Sequence, residues 1–599
     1  VAASFARDRI AWPRVLVLAG LVAFGAAIPT VSVQRFVGET GIALVVTIGA
    51  LLNLWCFARD VPADGLEAAR ARLGRWVSLD PSSDDVAPLD RSVPWLLAGV
   101  ASVGALLFSR FVLGGVPHID DSVSNLFQAR TFALGRLAMP APPDSAAFQV
   151  QEVLIDGNRW FGYGIPGWPA VLAAGVRIGL PWIVNPLLAG VAILLAHRLL
   201  LRLHGLAFAN LATVLLAVSP WLLFTSASMM GHPLALVLAL LVLLALAEGR
   251  PGQPGRALIA GLALGLLAIT RPLDAAIVGL TAGLWIAARN LDGHDVVHAI
   301  RSTALALVPL ALAAAAVTCL GLAYNHALTG DALYTPQMMW TDRAWGPGTD
   351  RYGFGHDIGI RAWPGIDPLP GHGPADVVLN LNKNIVTAGT DLFGWAGGSL
   401  ILVFLAFTLS DRLRAYRLEI TLLITCIAAY SGYWFAGGPD LGPRYWYVAI
   451  PAFAALSIAG ALALARWTRQ GPRIAAAFAL ASIAALLVFV PWRAATRYYR
   501  YRDIGNEILT LERTHDWDNA LVFVRAEGRE GYQAAFNALD PRLEPGHAVY
   551  ARDTGDAQSR AAVLRRFSDR VVWIIGTRPG PDRRLRVLAG PLPPGTLDP

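Results

Sequence analysis

"GGVPHIDDSVSNLFQARTFALGRL" occupies residues 114–137 and follows a run of about twenty apolar residues, the length that crosses a bilayer core. Asp120 and Asp121, two adjacent carboxylates, stand where the chain leaves that run. If the run spans a membrane, this stretch opens a loop at the membrane edge. Charge there is either a solvated helix start or the site of chemistry.

Composition favours the membrane. Of the 599 residues, 55% are hydrophobic and 15% are charged, with a mean hydropathy of +0.50. A soluble chain would carry about a quarter charged residues. The basic residues are almost all arginine, with Lys383 the lone lysine, a bias that fits a GC-rich genome. The net charge of +7 follows from arginines kept in cytoplasmic loops, so nucleic acid is not an expected partner. Cys56, Cys319 and Cys426 all lie in apolar runs, which supports neither a disulfide framework nor a zinc site.

Apolar segments recur near 12–31, 39–58, 93–113, 182–203, 205–225, 231–248, 256–270, 272–289, 300–324, 391–410, 416–435, 443–465 and 472–492. They predict about thirteen spans, the first of them a retained helix without a small-residue cleavage site. Segment 164–180, broken by "GIPGWP", reads as a juxtamembrane helix, because Pro and Gly leave backbone groups that lipid cannot satisfy. With the N-terminus inside, the cytoplasmic segments collect Arg59, Arg70, Arg72, Arg75, Arg91, Arg198, Arg202, Arg250, Arg256, Arg412, Arg414, Arg417, Arg466, Arg469 and Arg473. The short loops on the other side hold only Arg35, Arg271 and Arg444. That asymmetry makes 114–181 and 325–390 long outer loops.

The expected organisation is N-terminal helices and a cytoplasmic linker over 1–92, a transmembrane core over 93–495, and a soluble domain over 496–599. The linker part, 62–90, is polar with room for one short helix. In the last domain "NALVFVRA", "GHAVYARD" and "DRVVWIIGT" are short β-rich runs between polar breaks, which predicts a small α/β unit on the outer side. It carries no Gly-rich phosphate loop, Ser-His-Asp signature or metal-ligand cluster, so a structural or acceptor-guiding role is expected.

Several residues could carry chemistry. Asp120 and Asp121 could cap a helix beginning near Ser122. Alternatively one of them deprotonates an acceptor hydroxyl, with "SVSNLFQARTFALGRL" lying as an amphipathic helix on the membrane surface. Arg271 and Asp274 in "TRPLDA" read as a satisfied pair or as a phosphate site, for which the planar guanidinium is suited. Arg444, with Tyr445 beside it in "PDLGPRYWYVAIP", reads as a snorkelling cation or a second phosphate ligand. His232 in "SMMGHPLAL" fits a cap or core role. Tyr324 and Asn325 open the hydrogen-bonding stretch "YNHALTGDALYTPQ", and Asp391 before "LFGW" reads as an N-cap.

Together these pieces resemble the GT-C superfamily of membrane glycosyltransferases, especially family 39-like enzymes, which include protein O-mannosyltransferases and lipid A aminoarabinose transferases. The likeness covers roughly 93–465: an acidic motif after a membrane helix, then "NPLLAGVAILLAHRLLLRLHG", "LLAVSPWLLFTSASMMGHPLAL" and later "RYWYVAIPAFAAL". By spacing to "FQAR", the family's Asp-Glu pair falls on Asp121 and Ser122. That implies Asp121 as catalytic base, with Asp120 as the adjacent alternative; the family's second carboxylate falls near His232. The resemblance also implies a cavity at the outer membrane face, a polyprenyl-phosphate sugar donor and inversion at the anomeric carbon. Arg271, Arg444, His232, Tyr324, Asn325 and Tyr445 are then candidate substrate contacts.

The expected function is a hexosyl- or pentosyltransferase of the bacterial cytoplasmic membrane, acting on a glycan, lipid or protein acceptor among membrane lipids. No cofactor is required by this reading, and a divalent metal remains open. Two rivals belong to other classes. A transporter or flippase of a lipid-linked glycan would show internal repeats with matched broken helices, and no such repeat is visible. A non-catalytic scaffold presenting the C-terminal domain is the other.

Overall fold

The structure, a computed structural model, describes residues 12–27, 33–81, 86–249, 254–292, 296–360, 363, 366–438, 441–525, 528–577 and 584–596. The protein is a polytopic α-helical membrane protein with a small α/β unit at its C-terminal end.

Each predicted apolar segment contains helix. Among the described residues, seven helices are long and apolar enough to cross a membrane. An eighth joins them if Leu206–Ala217 and Pro220–Ala227, bent by 54°, form one span. The bend has a local cause. Pro220 cannot donate to the helical ladder, and Ser219 instead caps the second piece at Leu222 N (3.3 Å) while donating to Leu392 O (2.5 Å). The remaining predicted spans are shorter helices, among them Trp12–Ala26, His232–Glu248, Pro254–Ala268 and Arg417–Ser431.

One segment differs more sharply. Within 391–410, after Asp391, only Ile401–Leu409 is α-helix, because Gly394, Ala396 and Gly397 adopt left-handed φ values of 72°, 48° and 87°. Asp391 is not an N-cap. It ends the helix Pro374–Asp391 and pairs with Arg493 at 3.2 Å.

Burial sorts the helices into interior and rim. The apolar window of Arg444–Thr468 is 78% buried and that of Pro181–His204 56%, whereas Gln34–Asp60 and Ala299–Thr329 bury only 11% and present side chains to lipid. Small residues allow the closest crossings. A Cβ at Gly460 would collide with the backbone carbonyl of Leu402, and one at Gly261 with that of Leu310.

Contacts gather the helix ends into two sets. At one end, Asn185 donates to Ser228 O and Met230 O (2.5 and 2.8 Å), Thr225 to Leu441 O (3.0 Å), and Gly167 N to Ile269 O (2.7 Å). At the other, Glu248 pairs with Arg198 and Arg256, Arg417 with Asp292, and His204 with Glu419. These sets match the division drawn from arginine placement.

The linker forms the helix Ala63–Gly74, and its end is tied to the bundle by Asp90, which accepts from Ser78, Ala87 and Asn210. The last apolar helix continues through Tyr498, past the expected boundary at 496. Beyond it a four-stranded sheet runs in the order Val549–Arg552, Ala520–Arg525, Val571–Gly576, Arg586–Leu592, the first three parallel and the last antiparallel. This sheet shares one hydrophobic core with Val123, Phe127, Phe148 and Trp160 of the first long loop.

Candidate functional site

The acidic pair sits on the helix Asp120–Ala133, and neither Asp caps it. Ile119 is the N-cap residue (φ −104°, ψ 142°), and Ser122 Oγ supplies the local bonds, accepting from Ile119 N (3.3 Å) and donating to Ile119 O (2.7 Å). That leaves both carboxylates in the first turn, where the positive end of the helix dipole favours them.

The helix is packed into the protein and is not an exposed amphipathic element. Ser122, Val123, Ser124, Leu126, Phe127, Gln128, Ala129 and Thr131 are buried between the helix Gly167–Arg177 and the C-terminal unit. Polar residues survive there because they are bonded. Gln128 accepts from Gly162 N (2.8 Å) and donates to Leu137 O (2.9 Å), and Ser124 donates to Glu152 O (2.6 Å). Arg130 donates to Asn537 O and Leu539 O (2.6 and 2.9 Å).

The two aspartates have different neighbours. Asp120 is held by the C-terminal unit, accepting from Arg502 Nη1 and Gln533 Nε2, each at 2.9 Å. Asp121 faces the bundle, where its Oδ2 lies 3.7 Å from Arg444 Nη1. Its side chain is 29% exposed and that of Arg444 8%, so a reachable carboxylate stands over a buried cation.

Arg444 opens the 3-10 turn Arg444–Ala449 at the head of the helix Ile450–Thr468, and its guanidinium lies 5.7 Å from the Phe435 ring centre and 5.6 Å from that of Tyr445. Tyr445 also carries Arg271 at 5.3 Å, so two cations flank one ring. Arg271 is the better satisfied. Its Nε donates to Asp274 Oδ2 (2.5 Å) and its Nη2 to Tyr430 OH (3.0 Å), while Tyr430 donates to Asp274 Oδ1 (2.6 Å). His232 begins the helix His232–Glu248, 2% exposed, and stacks 6.4 Å from Tyr445.

Unmet hydrogen-bonding capacity converges here. Among the described residues, Arg444 Nε and both ring nitrogens of His232 are buried with no hydrogen-bond partner. Buried polar groups rarely stay unpaired. These groups gather around Tyr445, beside Asp121.

The sequence reading missed several participants. Glu152, in a left-handed conformation (φ 64°), is 7% exposed, and its Oε2 has no partner among the described residues. Burial, reinforced by Asp121 and Asp120, pushes its carboxyl well above the ordinary range, with Tyr163 donating to it. Asp350, raised by burial, accepts from Tyr433 OH (2.7 Å), Trp434 Nε1 (3.0 Å) and Gln337 Nε2 (3.0 Å) and so braces the aromatic wall. Nothing in the local sequence marks these residues, because each matters only through chain returning from elsewhere.

Tyr324 OH donates to Gly164 O (3.4 Å) and its ring packs edge-on to Phe132, while Asn325 donates to Ala332 O (3.0 Å) to close its loop. Among the described residues, no group of three or more His, Cys, Asp or Glu side chains could hold a metal ion.

The sequence matches no protein-family model and no curated protein. Solved structures similar to it include ArnT from Cupriavidus metallidurans bound to undecaprenyl phosphate, at 12% identity and a TM-score of 0.48, covering 82% of this chain and 94% of that one. An oligosaccharyltransferase from Archaeoglobus fulgidus in the apo form is also similar, at 12% identity and a TM-score of 0.39, covering 81% and 69%.

Proposed function

We propose that the chain is a GT-C-like glycosyltransferase that moves a hexosyl or pentosyl group from a polyprenyl-phosphate donor to an acceptor hydroxyl at the outer face of a bacterial cytoplasmic membrane. The observation that carries this reading is Arg444. A buried guanidinium with an unpaired Nε and only a 3.7 Å contact to Asp121 is an expensive arrangement unless an anion completes it. A lipid-borne phosphate supplies that anion, and the site's position where helices end suits a donor held in the bilayer.

The chemistry follows in one displacement. The acceptor oxygen attacks the anomeric carbon and gives its proton to the Asp121 carboxylate. The bond from that carbon to the phosphate oxygen breaks, its electron pair stays on the phosphate, and the configuration inverts. Arg444, Arg271 and His232 receive the growing phosphate charge through their N–H groups. Asp120, clamped by Arg502 and Gln533, orients the turn that carries Asp121. The Glu152 carboxyl, shifted toward its neutral form by burial and by Asp121 and Asp120, limits the negative charge beside the base.

Binding of polyprenyl phosphate to the full-length protein tests the phosphate assignment. Arg444→Ala removes a charge-assisted contact worth about 1.5–3 kcal/mol, so affinity should fall roughly 10- to 150-fold. An unchanged affinity in Arg444→Ala would show that this arginine is not a phosphate ligand.

A further inference from the structure

A second basic site lies apart from the Asp121 cluster and shares no residue with it. A cleft of about 540 Å³ opens where the helix Val93–Val112 and the last span, Gly471–Tyr498, reach the C-terminal unit. Arg110, Arg500, Arg584 and Arg586 line it, and Glu507 is its one carboxylate. Glu507 pairs with Arg500, and four guanidinium groups to one carboxylate give the lining a positive formal charge. Arg110 is exposed and has no hydrogen-bond or ion-pair partner among the described residues.

The cleft stands at a lipid boundary. Phe111 and Tyr499, both in its wall, are 71% and 55% exposed, and Trp492, about two turns earlier on the last helix, is 54% exposed. Aromatics at the end of a span sit at the headgroup level. The volume is that of a small-molecule site, and guanidinium is the side chain best matched to phosphate oxygens.

We infer that this cleft binds the phosphate headgroup of an anionic phospholipid, whose acyl chains pass over Phe111 and Tyr499 into the bilayer. The occupant is a membrane lipid and not a free anion, because one wall of the cleft is the end of a span. The site docks the C-terminal unit against the membrane whatever reaction the Asp121 cluster performs.

Native mass spectrometry of the full-length protein in detergent, titrated with phosphatidylglycerol, tests this. An arginine near an anionic surface contributes about fivefold in affinity, so Arg110→Gln and Arg586→Gln should each weaken binding about fivefold. Glu507→Gln, which removes the cleft's one carboxylate, should tighten it. Opposite signs from substitutions in one cleft separate recognition from misfolding. Equal phosphatidylglycerol affinity in all three variants would overturn the site. Phosphatidylcholine binding as tightly as phosphatidylglycerol would overturn recognition of charge, and displacement by equimolar glycerol 3-phosphate would overturn the lipid assignment.

Discussion

Asp120 and Asp121 are chemically identical neighbours, yet the fold separates them completely. One is spent on Arg502 and Gln533, and the other is left over Arg444. Substitutions should therefore split. Asp120→Asn keeps the acceptor oxygen toward Gln533 and loses mostly a partly exposed ion pair to Arg502, worth about 1 kcal/mol, so turnover should fall only modestly. Equal damage from Asp120→Asn and Asp121→Asn would remove the distinction. Glu152 makes a prediction about pH. Its folded carboxyl titrates above the unfolded value, so the native state binds the extra proton, and stability falls as pH rises from the ordinary carboxylate range toward that raised value. Glu152→Gln keeps a hydrogen-bonding side chain without that titration. Its melting temperature relative to wild type should therefore improve from pH 5 to pH 8, and parallel profiles would contradict a raised carboxyl.

At the scale of elements, the helix Asp120–Ala133 is where sequence reading reached its limit. Its position after a membrane span and the importance of its first turn were legible in hydropathy and charge. Its burial was not, because Ser124, Gln128 and Arg130 belong to the polar face of an amphipathic pattern. Their partners come from residues 152–162 and from 537–539, separated widely in sequence. The same blindness hid Arg502 and Gln533. Segment 391–410 misled for the opposite reason: its residues are apolar enough for a span, but left-handed turns at 394–397 delay the helix to Ile401. Two element-level results are expected. Arg130→Ala leaves two buried carbonyls unpaired and should cost about 1–3 kcal/mol, seen as a lower melting temperature and faster proteolysis of the C-terminal unit. Gly460→Val drives a branched side chain into the Leu402 backbone and should cost about 1–3 kcal/mol or more in detergent melts. Wild-type stability in Gly460→Val would mean that the helices Ile401–Leu409 and Ile450–Thr468 do not cross there.

On the whole-molecule scale, a sequence pattern and a set of structural contacts bear on one arrangement. Arginine counts divided the loops into two sets, and contacts among helix ends divide them in the same way. The three β-rich runs of the C-terminal unit were likewise legible, whereas the antiparallel strand Arg586–Leu592 and the fusion into one core with the first long loop were not. From the arginine asymmetry we propose that the second set of ends is cytoplasmic, so reporter fusions after residue 250 should read inside and fusions after residue 500 outside. The reverse at either point would invert the molecule and strand the site on the wrong side for the proposed donor. The central claim is that Asp121 is the base for sugar transfer from a lipid phosphate. Its most direct test is single-turnover release of polyprenyl phosphate by the reconstituted full-length protein, supplied with polyprenyl-phosphate hexoses and pentoses and an envelope acceptor extract. Wild type should consume at least one donor, while Asp121→Asn should bind it with similar affinity and release product about 10²–10⁴-fold more slowly. Asp121→Asn turnover equal to wild type would contradict the account.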